Sequence, residues 1–219
     1  MKKAFSRLLS VCLAIMVAFG LMIVPAAEPV HADGFVSGSV KYAKNITMYK
    51  MSDYENVYTI KMGSKLKGAK SVKIKSSKKS VFEPFGYYDG DKDIMGNAKK
   101  AGKATLTVKV KKGGKTKTYK IKVKVEKGSS PFKSFKVGKK NITSKYKNEQ
   151  YADVKVANNS KQKIAIKLKS GKKIKSMKYT TKSIKNNSTI KVKKEDPNLY
   201  ISIYDKKSKI TFYYYLYFA

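Results

Sequence analysis

Between Gly102 and Glu126 the chain reads GKATLTVKVKKGGKTKTYKIKVKVE, and lysine or threonine fills almost every second place. On an extended chain Ala104, Leu106, Val108 and Val110 point one way, and Lys103, Thr105, Thr107, Lys109 and Lys111 the other. Past Gly113-Gly114, Tyr119, Ile121, Val123 and Val125 resume the apolar set, with Lys120, Lys122 and Lys124 between them. A period of two fits a strand with one dry and one wet face. It does not fit a helix, whose apolar residues return at three and four. The β-branched and aromatic residues favour strand as well, and the two glycines supply the backbone freedom of a hairpin turn. The spacing predicts a hairpin on an outer layer. Its lysines form the solvent face, their stems lying over apolar surface while the ammonium groups stay wet.

The same alternation returns about every ten residues, in NITMYKM, VYTIKM, SVKIKS and SVFEPFGYY before the hairpin. After it come PFKSFKVG, YADVKVA, KIAIKLK, KIKSMKYTT, STIKVKK, LYISIYD and KITFYYYLYFA. Many short strands at this spacing predict an all-β chain of sandwiches. KGSSPF, at Lys127 to Phe132, interrupts the pattern with Gly, Ser and Pro and marks a boundary. The expectation is two tandem β-sandwich domains, 33–127 and 128–219, following a leader.

That leader is read from the first residues. Lys2, Lys3 and Arg7 precede an apolar run from Leu8 to Val24, and Val30-His31-Ala32 offers small residues at a cleavage position. This is the three-part form of a secretory signal peptide, expected at 1–32. Its removal takes away the lone Cys12, the lone His31, the lone Arg7, Lys2, Lys3 and Glu28. Of 50 basic and 14 acidic residues, 47 lysines and 13 acids are left, a net charge of +34. Without cysteine an exported fold has no disulfide support and depends on an ordinary core.

The run AKSVKIKSSKKSVFEPFGYYDGDKDIMGNAKKAGKATLTVKVKKGGKTKTYKIKVKVE resembles the bacterial immunoglobulin-like domain, group 2. The likeness rests on Ser76-Ser77, Val81, Ala98 to Val108 and Tyr119 to Val125, and covers roughly residues 45–126. FEPFGYYDGDKDIMG is longer than the short turn usual between the corresponding strands. The resemblance implies an immunoglobulin-like sandwich acting as an extracellular spacer or adhesion module, with no catalytic residues to carry over. The second half is immunoglobulin-like by pattern alone.

Candidate chemistry is sparse. Nucleophilic catalysis needs a base beside Ser or Cys, and residues 33–219 contain neither His nor Cys. No catalytic residues are expected, and no cofactor. Asp89, Asp91 and Asp93 in DGDKD are the pattern that would take Ca²⁺. An EF-hand loop needs Gly at its sixth and Glu at its twelfth place, however, and Ile94 and Lys100 stand there. A polar turn is the plainer reading. In FYYYLYFA, Phe212, Tyr214 and Leu216 face one side of a strand and Tyr213, Tyr215 and Tyr217 the other. The second set needs cover or a ligand, such as a sugar ring. Tyr87 and Tyr88 form a weaker pair of the same kind. The asparagines of IKNNSTI, with so many lysines, admit a Lys–Asn isopeptide cross-link, though nothing selects a pair.

The charge is the strongest signal. Solubility of a small domain needs a net charge of roughly 2–8; +34 creates a broad positive field that draws polyanions. The expected partners of Lys103, Lys109, Lys111, Lys120, Lys122 and Lys124 are anionic cell-wall polymers or polysaccharide, with cell-surface or host glycans as further options. Lysine is a point charge, whereas arginine makes the fork that reads guanine edges. Sequence-specific nucleic-acid binding is therefore not expected. The function this predicts is a secreted, non-catalytic protein binding or spacing at the bacterial cell wall. The alternative is an adhesin or carbohydrate-binding module using the tyrosines.

Overall fold

A computed structural model describes residues 36–51, 55–88, 93–193, 195 and 197–219. The expected leader lies outside them, as do Asp89 and Asp91. The first half supplies β1 (Val36–Lys41), β2 (Asn45–Lys50), β3 (Asn56–Lys61), β4 (Ser71–Ser76), β5 (Phe82–Tyr88), β6 (Asp93–Ala98), β7 (Gly102–Lys112) and β8 (Lys115–Lys127). The second supplies β9 (Phe132–Val137), β10 (Lys140–Asn141), β11 (Tyr151–Val154), β12 (Lys161–Leu168), β13 (Lys172–Tyr179), β14 (Lys182–Ser183), β15 (Thr189–Lys191), β16 (Asn198–Asp205) and β17 (Thr211–Phe218). Among the described residues there is no α-helix, only 3₁₀ turns at Gly63–Lys65 and Thr143–Tyr146. The described residues are all-β, as the alternation predicts.

The hairpin of β7 and β8 closes through Lys112 opposite Lys115. Gly113 and Gly114 stand at φ 54° and 76°. Both centres of the two-residue turn are left-handed, the geometry that twists with its strands and that glycine takes at least cost.

In the first half β1-β3-β6-β5 lie side by side in one sheet, and β2-β8-β7-β4 form another. In the second half β13-β16-β17 lie in the first of these sheets, facing β10-β9-β12-β15. In the first half these orders are the A-B-E-D and C-F-G layers of an immunoglobulin-like sandwich, with β1 paired to β3 in parallel. In the second half β13-β16-β17 repeat the C-F-G order and β9-β12-β15 the A-B-E order, with the short β10 on the outer side of β9 and no strand in the D place among the described residues. Each half also pairs an early strand in parallel with its last one: β2 with β8 and β11 with β17.

The stretch from Gly128 to Pro131 contains no strand, and it lies where the sequence places the boundary. The halves are nevertheless joined. β1 pairs with β17 at Gly38–Phe212 and Ser39–Thr211, so one nine-stranded sheet draws on both. Residues 34–219 form one compact unit.

Aromatic side chains fill the second sandwich. Phe135 stacks on Tyr146 at 5.3 Å, and Phe132 meets Tyr214 edge-on at 4.9 Å. At the joint, Phe212 touches both Tyr49 and Tyr58 of the first half. Tyr58 is fully buried, and its hydroxyl does the work of a missing strand. It accepts from the Tyr49 N–H at 3.1 Å and donates to the Tyr49 carbonyl at 2.7 Å. Burial pushes this phenol well above its ordinary pKa, so it stays protonated and able to donate. Tyr58→Phe removes no ring packing but leaves a buried N–H and a buried carbonyl without their partner. A loss of about 1–3 kcal/mol in urea unfolding is expected; an unchanged midpoint would show that water takes over both bonds.

Candidate functional site

Strands β7 and β8 bury Ala104, Leu106, Val108, Val110, Ile121, Val123 and Val125. The period of two then leaves Lys103, Lys109, Lys111, Lys120, Lys122 and Lys124 no other direction than outward, and all six are exposed. The structure therefore brings the six lysines predicted from sequence onto one face. It adds Lys73 and Lys75 from β4, which are exposed on the same side. Sequence reasoning left these two out, although SVKIKS alternates in the same way.

The register orders the face. Lys103 stands opposite Lys124, Thr105 opposite Lys122, Thr107 opposite Lys120, Lys109 opposite Thr118 and Lys111 opposite Thr116. On the β4 side Lys73 stands opposite Lys109 and Lys75 opposite Thr107. Most lysines thus have a hydroxyl residue as cross-strand neighbour. Two pairs, Lys103–Lys124 and Lys73–Lys109, set like charges directly opposite, which weakens a sheet. Among the described residues Glu126 is the acid at its margin, paired with Lys124 and, across the halves, with Lys207 at 3.5 Å. The Lys124 ammonium holds the Glu126 carboxyl below its ordinary range. Among the described residues, no carboxylate lies within 4.0 Å of the other seven lysine ammonium groups of the face.

The tyrosine set is arranged differently. Tyr213, Tyr215 and Tyr217 share the outer side of β17 and are half-buried. Tyr215 stands in one cross-strand row with Tyr200 of β16 and Tyr151 of β11. Tyr200 meets it edge-on at 5.4 Å and 86°, and the Tyr213 hydroxyl lies 3.1 Å from that of Ser39. These rings cover one another rather than lying flat. The side chains of Tyr87 and Tyr88 lie outside the described residues.

Of the three aspartates, Asp93 is placed in strand β6, buried, opposite Lys61. Among the described residues no cluster of three potential ligands is present. Asn186 of the asparagine-rich turn is engaged with the Ile166 backbone, accepting from its N–H at 2.9 Å and donating to its carbonyl at 2.8 Å.

The buried charge that sequence reasoning missed is Asp205, at the end of β16. Its carboxylate accepts from the Lys172 ammonium, from the Ser208 hydroxyl at 2.9 Å and from the Lys207 N–H at 2.9 Å. Burial alone would raise this carboxyl; the Lys172, Lys207 and Ser208 contacts outweigh it and hold the group below its ordinary range. Burial and then the Asp205 charge push the neighbouring Tyr49 hydroxyl up to about 12. In LYISIYDKKSK such an aspartate reads as a turn residue, and only the tertiary fold shows otherwise.

No family model matches the chain, and no curated protein does. Solved structures that resemble it include domains 7, 8 and 9 of the S-layer protein SbsC. There the identity is 17% over 66% of this chain and 46% of that one, with a TM-score of 0.26. The chain thus spans just under half of that S-layer fragment. Chicken VE-cadherin EC1-2 matches at 13% identity over 81% of this chain and 98% of that one, TM-score 0.27. A titin fragment, A168169, matches at 14% over 86% and 98%, TM-score 0.25. At TM-scores this low nothing is built on the likeness, and the sandwich order rests on the strand pairing above.

Proposed function

We propose that this chain is an extracellular, non-catalytic surface protein that holds anionic cell-wall polymers against the face of β4, β7, β8 and β2. The observation that carries the reading is the set of eight exposed lysines on one sheet face with a single acid at its edge. Such a surface attracts any polyanion, and its reach falls with ionic strength, because the Debye length is ~8 Å at physiological salt. Binding rather than catalysis suits a chain with no His or Cys after residue 32. The likeness of residues 45–126 to the bacterial immunoglobulin-like domain, group 2, supports a bacterial surface setting, and so does the leader. The tyrosine face is the weaker candidate, since its rings meet edge-on.

The test is retention on washed bacterial cell walls. Residues 33–219 are expected to bind at low salt and to elute as NaCl rises toward ~0.5 M. Retention that does not change across that range would remove charge as the holding force.

A further inference from the structure

The register of the lysine face defines a lane. Thr105 and Thr107 on β7 lie between Lys122 and Lys120 of β8 on one side and, beside Thr107, Lys75 of β4 on the other. Thr118 and Thr116 on β8 continue the lane obliquely, beside Lys109 and Lys111. Its floor is short hydroxyl side chains and its borders are ammonium groups on long stems. Strands lie about 4.8 Å apart, so the borders on β8 and β4 are about 10 Å apart at their Cα atoms. That width admits one slender chain.

From this lane we infer the class of polymer: a single extended polyphosphodiester with a short polyol spacer, of the glycerol-phosphate type, lying along β7 and β8. The inference rests on the polyanion-binding reading above and makes it specific. Successive lysines on one face, such as Lys120, Lys122 and Lys124, are two residues apart. That is six backbone bonds, or about 6.8 Å of strand. A phosphodiester chain with a three-carbon spacer also has six backbone bonds per charge, which span about 7 Å when extended, by the reach of three bonds per residue. Charge repeat and ammonium repeat are therefore commensurate. Each phosphate offers two free oxygens, one for an ammonium and one for a threonine hydroxyl, and bonds to a charged acceptor are the stronger kind.

The face also discriminates. Single-stranded nucleic acid has a similar backbone repeat, but it is held largely by stacking its bases on aromatic rings. The outward residues of β4, β7 and β8 are lysine, threonine and serine up to Glu126. A backbone with no bases loses nothing on such a floor.

Binding of purified poly(glycerol phosphate) to residues 33–219 tests this against the double variant Thr105→Val and Thr107→Val. The swap keeps charge, side-chain shape and strand preference, and a melting curve checks the fold. The variant is expected to bind about tenfold more weakly, at two lost hydrogen bonds, with the salt dependence unchanged. Single-stranded DNA of equal charge is expected to bind the parent more weakly than poly(glycerol phosphate) does, since the face offers no ring for its bases. Equal affinity of parent and variant for poly(glycerol phosphate), or preference for the DNA, overturns the lane. If salt-sensitive wall retention persists in that case, only the lane falls; if retention is also absent, the surface function falls with it.

Discussion

Asp205→Ala is expected to destabilise the protein by about 3 kcal/mol, read as a lower urea midpoint at unchanged slope. Breaking a buried ion pair from one side typically costs 3–5 kcal/mol, because the remaining charge has no partner. The lower end applies here, since Asp205 is fully buried but the Lys172 side chain keeps 19% of its surface exposed and can turn to water. The Ser208 hydroxyl and the Lys207 N–H also lose their acceptor. Replacing both partners, as in Asp205→Leu with Lys172→Met, is expected to recover most of the loss. A double variant no more stable than Asp205→Ala would show that the carboxylate acts through its turn contacts instead.

The sign of the pH dependence follows. The folded Asp205 carboxyl lies below its ordinary value. The unfolded chain therefore binds the proton more readily, and stability rises with pH through that window. The contribution is complete above the ordinary aspartate pKa of about 3.9 and is lost as pH falls through the folded value. The parent should lose stability in that acid range more steeply than Asp205→Ala. Parallel acid titrations of the two would contradict the assignment.

What could be read from sequence depended on whether alternation survived in the residues. Strands β7 and β8 and their Gly-Gly turn are legible to the residue, because one face is purely apolar and the other purely polar. Strands β1 and β6 are not. VSGSVK and DIMGNA carry glycine and small polar residues where a strand should show bulk, and the reason is packing. A Cβ on Gly96 would come within 2.6 Å of the Phe82 ring, and one on Gly38 within 2.9 Å of Tyr58 and Ile210. Each glycine makes room for an aromatic ring from elsewhere in the chain, which no local pattern records. The pairing of β1 with β17 is hidden for the same reason, since it joins residues more than 170 apart in sequence. At the candidate site the outward lysines were legible. Their cross-strand order was not, because register is set by pairing and only register reveals the threonine lane.

Changing Lys103, Lys109, Lys111, Lys120, Lys122 and Lys124 together to glutamine should nearly abolish wall retention. A control that changes six exposed lysines of the second half, Lys136, Lys161, Lys163, Lys167, Lys182 and Lys191, should leave it close to the parent. Both variants carry six fewer charges, so net charge alone predicts equal losses. A local face predicts unequal ones. For single-stranded polyanions the salt slope is about −0.7 per phosphate contact, so removing six contacts flattens it by about four and lowers affinity roughly a hundredfold or more at ~50 mM salt. The first variant is not expected to unfold. It separates the like charges now opposed at Lys103 and Lys124, and relieving such a pair stabilises a sheet by a few tenths of a kcal/mol. The same logic makes bound polymer a stabiliser of the parent, raising its melting temperature by binding only the folded state, and leaves the first variant unaffected. Equal retention of the two variants, or a polymer-induced shift that survives in the first, would move the site away from β7 and β8.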